Sequence, residues 1–155
     1  MAGIVSAKLS ELGISLPQAA VPAANYVPAR RTGNLLIVSG QLPMVNGKPE
    51  FIGILGAGIE LDDGIKAARL CALHVLAQAS LALDGDLDRI TACVRLGVFV
   101  ASTAEFTDQP KVANGASDLM VEVLGEAGRH ARAAVGMASL PFGVSVEVEA
   151  LFEVS

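Results

Sequence analysis

Charged residues are scarce in this 155-residue chain, and long apolar runs are missing. Asp, Glu, Lys and Arg together make up 17% of the residues, against roughly a quarter in an average soluble protein. Gly, Pro or polar residues interrupt every uncharged run well short of the ~18 apolar residues of a membrane span. The first residues, MAGIVSAKLSELG, lack the basic start and apolar block of a signal peptide. We therefore predict a soluble, cytoplasmic protein whose surface is partly covered by other copies of itself.

Cysteine and histidine are equally scarce, with two of each. Cys71 and Cys93 lie in apolar sequence without CxxC spacing, which predicts two free buried thiols. His74 and His130 lie far from any second ligand at helical or ribbon spacing, which argues against a zinc site. The glycine-rich stretch GILGAG, residues 53–58, has neither GxGxxG nor Walker spacing, so a flexible, site-covering loop is favoured over a phosphate loop. We expect no metal and no organic cofactor.

Positive charge is in the minority. Lys and Arg number 11 against 16 Asp and Glu, which gives a net charge of −5 and a pI near 4.9. Nucleic-acid binding draws on clustered Lys and Arg. The composition therefore disfavours RNA or DNA as a partner.

Apolar residues, by contrast, are abundant at 52%, which is ample for the core of one domain of this length. Residues 1–24 combine a short amphipathic segment with an Ala/Pro-rich connector, LPQAAVPAA, that favours extended backbone. We predict an N-terminal arm over residues 1–24 and a single domain over residues 25–155.

The periodicity of apolar residues along that domain predicts an α+β fold. In residues 90–101 it has a period of two, with Ile90, Val94 and Val98 on one face and Arg95 on the other. The same reasoning predicts strands at 34–44, 90–101, 131–138 and 144–154 and helices at 61–83 and 109–126. This order indicates a mixed sheet with two main helices packed on one face.

A lone arginine begins the third of these strands. Alternation places Arg132 on one face with Ala134, Gly136 and Ala138, whose small side chains leave room for a small acid beside a guanidinium. The alternative is an arginine at a strand end that extends to water or pairs with an acidic neighbour.

Carboxylates line one face of the last strand, at Glu147, Glu149 and Glu153. If the two final strands are neighbours, one of these carboxylates would lie near Arg132 and act as a general base on water. The alternative is a solvated edge strand whose charges discourage pairing with the edge strands of other molecules. Gly40, at the end of the first strand, would let another group approach the backbone.

Three segments resemble the RidA/YjgF/UK114 family, also called endoribonuclease L-PSP. They are YVPARRTGNLLIVSGQLP (26–43), GDLDRITACVRLGVFVASTAEF (85–106) and ARAAVGMASLPFGVSVEVEAL (131–151). The resemblance implies a chorismate-mutase-like homotrimer with its sites in clefts between subunits. It also implies hydrolysis of reactive 2-imino or enamino acids to 2-keto acids and ammonia.

The resemblance also assigns roles to residues. It implies that Arg132 holds the substrate carboxylate and that Glu147 orients the attacking water. Tyr26 would pack on the substrate, Gly40 would offer backbone hydrogen bonds, and Asn114 would lie at the edge of the site.

Two features depart from the family pattern. Many deaminase members have cysteine where this chain has Ala134, and residues 46–64 form a longer segment than in typical short members. Since hydrolysis needs an anchored carboxylate and an oriented water more than a thiol, the departure at Ala134 bears mainly on substrate choice.

Two alternatives to the deaminase remain. The first is an endoribonuclease, with His130 as acid or base two residues from Arg132. The second is a non-catalytic trimer that binds small carboxylates through Arg132, for which Glu147 would have little use.

Overall fold

A five-stranded mixed sheet with helices on one face forms the body of the computed structural model, which describes residues 3–22 and 24–155. Residues 1, 2 and 23 of the predicted N-terminal arm lie outside the described residues. The helices are α1 (Ile4–Glu11), α2 (Leu61–Ala82) and α3 (Gln109–Leu124). The strands are β1 (Ala29–Thr32), β2 (Leu35–Gln41), β3 (Met44–Val45), β4 (Lys48–Pro49), β5 (Ile54–Leu55), β6 (Gly58–Ile59), β7 (Ile90–Ala101), β8 (Ala131–Met137) and β9 (Val146–Val154).

The predicted helices and main strands are confirmed to within a few residues. Helix α2 carries Asp62 and Asp63 in its first turn, where negative charge complements the helix dipole, although Glu60 and not either aspartate occupies the N-cap position. Helix α3 starts after Asp108 with a proline in its first turn and ends at Gly125, whose φ of 62° favours glycine. Helix α1 packs Val5 and Leu9 into the core beside α3.

The expected alternation along β7 is wrong near its start. Register shifts between Ile90 and Ala92 and again between Cys93 and Arg95 mark β-bulges. Each bulge adds a residue that reverses the side chains that follow. As a result Cys93 is buried in the core, whereas Val94, which a regular strand would place there, is 38% exposed.

The order of strands also departs from the prediction. The sheet runs β1-β2-β9-β7-β8, with β8 parallel to β7 and β9 antiparallel to both β2 and β7. Strands β8 and β9 are therefore not neighbours, and the hypothesis that a β9 carboxylate lies beside Arg132 through adjacent pairing is wrong. The twelve-residue β7 lies between β8 and β9 and pairs with one of them along each edge.

Alternation along β9 gives the sheet two distinct faces. Val146, Val148, Ala150, Phe152 and Val154 are buried against the helices. The residues between them face the other side, where Glu149 pairs with Arg95 of β7 at 3.3 Å. Apolar side chains are exposed on this second face of the isolated chain at Ile37, Val135 and Met137. We call it the open face.

No helix within residues 3–22 and 24–155 is long and apolar enough to cross a membrane.

Both cysteines are free and buried, as predicted. Burial raises the pKa of the Cys93 thiol to about 12. Burial, with the negative charge of Glu147, also raises the pKa of Cys71. Since the thiolate is the reactive form, we expect neither thiol to react with Ellman's reagent at pH 8 until the chain is unfolded in guanidinium. Rapid labelling of either thiol in the native protein would contradict this burial.

Candidate functional site

A cavity of about 230 Å³ opens where β2 ends against α2. Its walls come from the N-terminal segment, the end of β2, one face of α2 and the connection before β9. The lining residues are Ala20, Val21, Pro22, Tyr26, Pro28, Ser39, Gly40, Gln41, Leu42, Met44, His74, Gln78, Pro141, Phe142 and Glu147. Three of the residues assigned by resemblance, Tyr26, Gly40 and Glu147, therefore come together here.

Gly40 and Glu147 are in direct contact. A Cβ at position 40 would overlap Oε1 of Glu147 and lie 2.8 Å from its Cδ. The β2–β9 register shifts between Val38 and Gln41, so the backbone bulges at this point. The space beside Gly40 is therefore occupied by the carboxyl of Glu147.

The Glu147 carboxyl is electrostatically unusual. Partial burial, and then the like charge of Glu149 on the same face of β9, raise its pKa above the ordinary value. A carboxyl whose pKa moves toward neutral pH is better suited to accept and return protons in catalysis.

Two polar residues of α2 complete the wall of the cavity. His74 is 5% exposed, and its Nε2–H donates to the carbonyl oxygen of Met44 at 2.8 Å, so it is a buried histidine with a hydrogen-bond partner. Gln78 donates from Nε2 to the carbonyl oxygen of Ala20 at 2.8 Å and holds the N-terminal segment over the cavity. Sequence reasoning missed Gln78, although its spacing of four residues from His74, within a stretch of α2 (70–79) that is otherwise apolar, was a signal.

Among the described residues that line this cavity there is no Lys or Arg. Glu147 is the only charged side chain of that set, and most of the others are apolar. Residues 3–22 and 24–155 of one chain therefore supply the candidate base to this cavity but no cation for a carboxylate.

Arg132 lies elsewhere, with Asn114. It pairs with Leu96 of β7, whose side chain is in the core, and so faces the helices at the outer edge of the sheet. Its Nη1 donates to Oδ1 of Asn114 at 2.8 Å and to Oγ of Ser117 at 3.0 Å, and its Nη2 donates to the carbonyl oxygen of Pro110 at 3.3 Å. The small-residue face of β8 is thus turned toward α3, not toward an open pocket.

Within one chain, Arg132 and Glu147 are apart. They lie on different strands with β7 between them and point to opposite faces of the sheet. The structure groups Asn114 and His130 with Arg132, and it groups Tyr26 and Gly40 with Glu147.

The long segment 46–64 packs beside the end of β7 as short strands. Ile52 bridges to Val144, and Leu55 bridges to Ser102. None of residues 46–64 lines the cavity, so a site-covering role is not seen within one chain. The segment leads into the acidic first turn of α2, which is unsuited to a phosphate. Among the described residues, no three His, Cys, Asp or Glu side chains could together hold a metal ion.

Comparisons with known proteins cover almost the entire chain. The family model described as "YjgF/chorismate_mutase-like, putative endoribonuclease" matches residues 6–153. Protein TCP17 of Trypanosoma cruzi is 54% identical over 154 residues, which span 99% of this chain and 96% of that protein. The crystal structure of Atu1372 from Agrobacterium tumefaciens is 52% identical with a TM-score of 0.92, over 98% of this chain and 93% of that one. A structure from Shewanella oneidensis, also named a "putative endoribonuclease", is 35% identical with a TM-score of 0.93, over 97% and 99% of the two chains.

Proposed function

Since the chain belongs to the YjgF/chorismate mutase-like family, we propose that it hydrolyses 2-imino acids such as 2-iminopropanoate and 2-iminobutanoate to 2-keto acids and ammonia. The observation that carries the proposal is the Glu147 carboxyl. It lies over Gly40 at the wall of a mainly apolar cavity, and its pKa is raised by burial and by Glu149. A group of this kind suits proton transfer to and from an attacking water.

The complete site in this proposal lies between copies of the chain in a homotrimer. Within the part of the chain that the structure describes, the cavity is lined by Glu147 and Tyr26 but by no Lys or Arg. Arg132 lies at an outer strand edge, and part of its guanidinium has no partner among the same residues. The exposed apolar side chains of the open face, together with the low content of charged residues, favour contact with other copies. In the trimer, Arg132 of one copy would meet the cavity of the next.

The reaction then follows from these groups. Arg132 holds the substrate carboxylate as an ion pair and so fixes the C2 carbon of the imine beside a water. As the water oxygen bonds to C2, the π pair of the C=N bond moves to nitrogen, Glu147 takes one proton from the water, and the nitrogen takes a proton from solvent. In the collapse of the resulting carbinolamine, Glu147 returns its proton to the amino nitrogen and the C–N bond breaks with its electron pair on nitrogen. The hydroxyl group releases its proton to solvent, so the C2 carbonyl forms and ammonia leaves.

RNA cleavage, the activity named for the family and for one relative, has less support from the chain itself. The net charge is −5, and the cavity is lined by no cation. His130 is engaged by Gly128 and Ser117. A purely carboxylate-binding trimer would leave the raised pKa of Glu147 without a use.

An imine-trapping assay tests the proposal. An amino-acid oxidase generates 2-iminopropanoate and 2-iminobutanoate, and semicarbazide traps the imine that survives. We expect the protein to lower the trapped fraction and Arg132→Ala to reduce kcat/KM about 10²-fold, the size for loss of a charged hydrogen-bonded partner. Arg129→Ala, which removes a nearby exposed arginine paired with Glu126, is the matched control and should be unaffected.

The same assay can also contradict the proposal. If the protein accelerates the decay of neither imine, the deaminase proposal fails. Cleavage of a fluorescent single-stranded RNA by the same preparation would then favour the endoribonuclease.

A further inference from the structure

Arg132 is the end of a chain of side-chain hydrogen bonds that runs through Ser117 to His130. Oγ of Ser117 lies 3.0 Å from Nη1 of Arg132 and 2.9 Å from Nε2 of His130. Nδ1 of His130 lies 2.6 Å from the carbonyl oxygen of Gly128. Neither Ser117 nor His130 lines the cavity.

The tautomer of a neutral His130 ring sets the direction of each bond in this chain. A carbonyl oxygen only accepts, so the Nδ1 of His130 must carry the proton that it donates to Gly128. The Nε2 of the neutral ring is then an acceptor, and it takes the hydroxyl proton of Ser117. Because the hydroxyl proton of Ser117 is donated to His130, the Oγ oxygen accepts a hydrogen bond from Nη1 of Arg132.

This arrangement leaves one edge of the guanidinium free. Nη1 has two N–H groups, which go to Asn114 and Ser117, and Nη2 gives one of its two to Pro110. Nε and the second N–H of Nη2 have no partner among residues 3–22 and 24–155. Nε and Nη2 share one edge of the planar guanidinium, and such an edge matches the two oxygens of a carboxylate.

We infer that Ser117 and His130 are positioning residues, which lock the guanidinium of Arg132 against α3 so that its Nε–Nη2 edge is presented to a carboxylate. The inference rests on the proposed function for the identity of the substrate, but the locking itself is a property of the chain.

The first test observes the lock directly. In the full-length protein labelled with ¹⁵N-arginine, the Nε signal of Arg132 is assigned by its loss in Arg132→Lys, and rotation about the Nε–Cζ bond is measured. We expect slow rotation in the wild type and rotation about 5-fold faster or more in Ser117→Ala, since a hydrogen bond to a charged group is lost. Ser117→Thr keeps a hydroxyl and should restore slow rotation. Ser10→Ala, in α1, is the matched control.

The second test uses the imine assay. Ser117→Ala should raise KM about 5–10-fold with kcat within about 2-fold, because a loosened arginine costs carboxylate binding more than chemistry. Ser117→Thr should restore KM. His130→Ala should raise KM in the same direction, and the double variant should be no worse than Ser117→Ala alone, because the two residues act as one chain.

The outcomes separate this inference from the proposed function. Slow rotation that is lost in Ser117→Ala supports the lock even if the wild type hydrolyses no imine, in which case only the proposed function fails. Unchanged rotation in Ser117→Ala overturns the lock, whatever the activity. Strictly additive effects of Ser117→Ala and His130→Ala overturn the role of His130.

Discussion

Replacement of Glu147 by glutamine is expected to lower the rate of 2-imino acid hydrolysis about 10²–10⁴-fold, the usual contribution of a positioned general base. The substitution preserves size and one oxygen acceptor but removes the ability to take a proton from water. The loss should fall on kcat, measured with the trapping assay at saturating substrate. Glu153→Gln, on the same face of the same strand, is the matched control and should retain activity. A Glu147→Gln variant with wild-type kcat would remove Glu147 from the mechanism.

The same variant tests whether the site lies between copies of the chain. Glu147→Gln and Arg132→Ala are each expected to retain about a hundredth of the wild-type activity or less. If one copy supplies the arginine and another the carboxyl, co-refolding of equal amounts should restore both intact groups to about a quarter of the sites by random assembly. A mixture with no more activity than its components would place both groups in one chain, against the arrangement proposed here.

Glutamine at position 147 should also change how stability depends on pH. Because the pKa of Glu147 is raised in the folded protein, the folded state keeps this proton to a higher pH than the unfolded chain does. Ionisation of Glu147 therefore costs stability progressively as the pH rises from the ordinary carboxyl value through the raised one. We expect Glu147→Gln to be more stable than the wild type toward urea at pH 8, with an advantage that shrinks as the pH falls to 4.

Gly115→Ala is expected to destabilise the fold by about 3 kcal/mol, near the upper end of overpacking effects. Gly115 lies where α3 crosses α2, and a Cβ there would overlap the carbonyl oxygen of Ile65 and lie 3.2 Å from the backbone nitrogen of Arg69. Since these are backbone atoms, the two helices must separate and open the core between them. The gain in helix propensity from alanine, about 1 kcal/mol, does not offset this.

A urea titration of Gly115→Ala beside Gly64→Ala isolates the cause. Gly64 also lies in a helix, but its added Cβ would meet only side chains, Leu55 at 3.0 Å and Val112 at 3.2 Å, which have more freedom to adjust. We expect a smaller loss in Gly64→Ala. Equal losses of stability in the two variants would show that the close approach of the helix backbones is not the cause of the loss in Gly115→Ala.

Much of the fold was predictable because its signals are local. The apolar period of α2, the proline and glycine at the ends of α3 and the alternation in β9 each depend on residues within one element, and the structure confirms these elements. The β7 prediction failed only where bulges reversed the alternation. A bulge depends on the partner strand, which alternation within a single strand does not report.

The sequence named individual candidate residues but did not indicate how they are arranged. The sequence singled out Arg132, Glu147, Tyr26, Gly40 and Asn114 by their residue types and by family resemblance. The spacing of Gln78 from His74 was the one local signal for the wall of the cavity, and nothing local indicated that Ser117 joins Arg132 to His130. Those contacts join α2 to the N-terminal segment and α3 to β8, and no periodicity records which helix covers which strand.

The sequence by itself determined which segments become helices and strands and which side of each is apolar, because these properties follow from the backbone period and the hydrophobic effect. Only the tertiary structure decided the order of the strands, and with it the separation of Arg132 from Glu147 by β7 and by the thickness of the sheet. Strand order depends on which strands pair across long separations in sequence and on how the helices cover the sheet. Residues that are fifteen apart in the chain can therefore end on opposite faces.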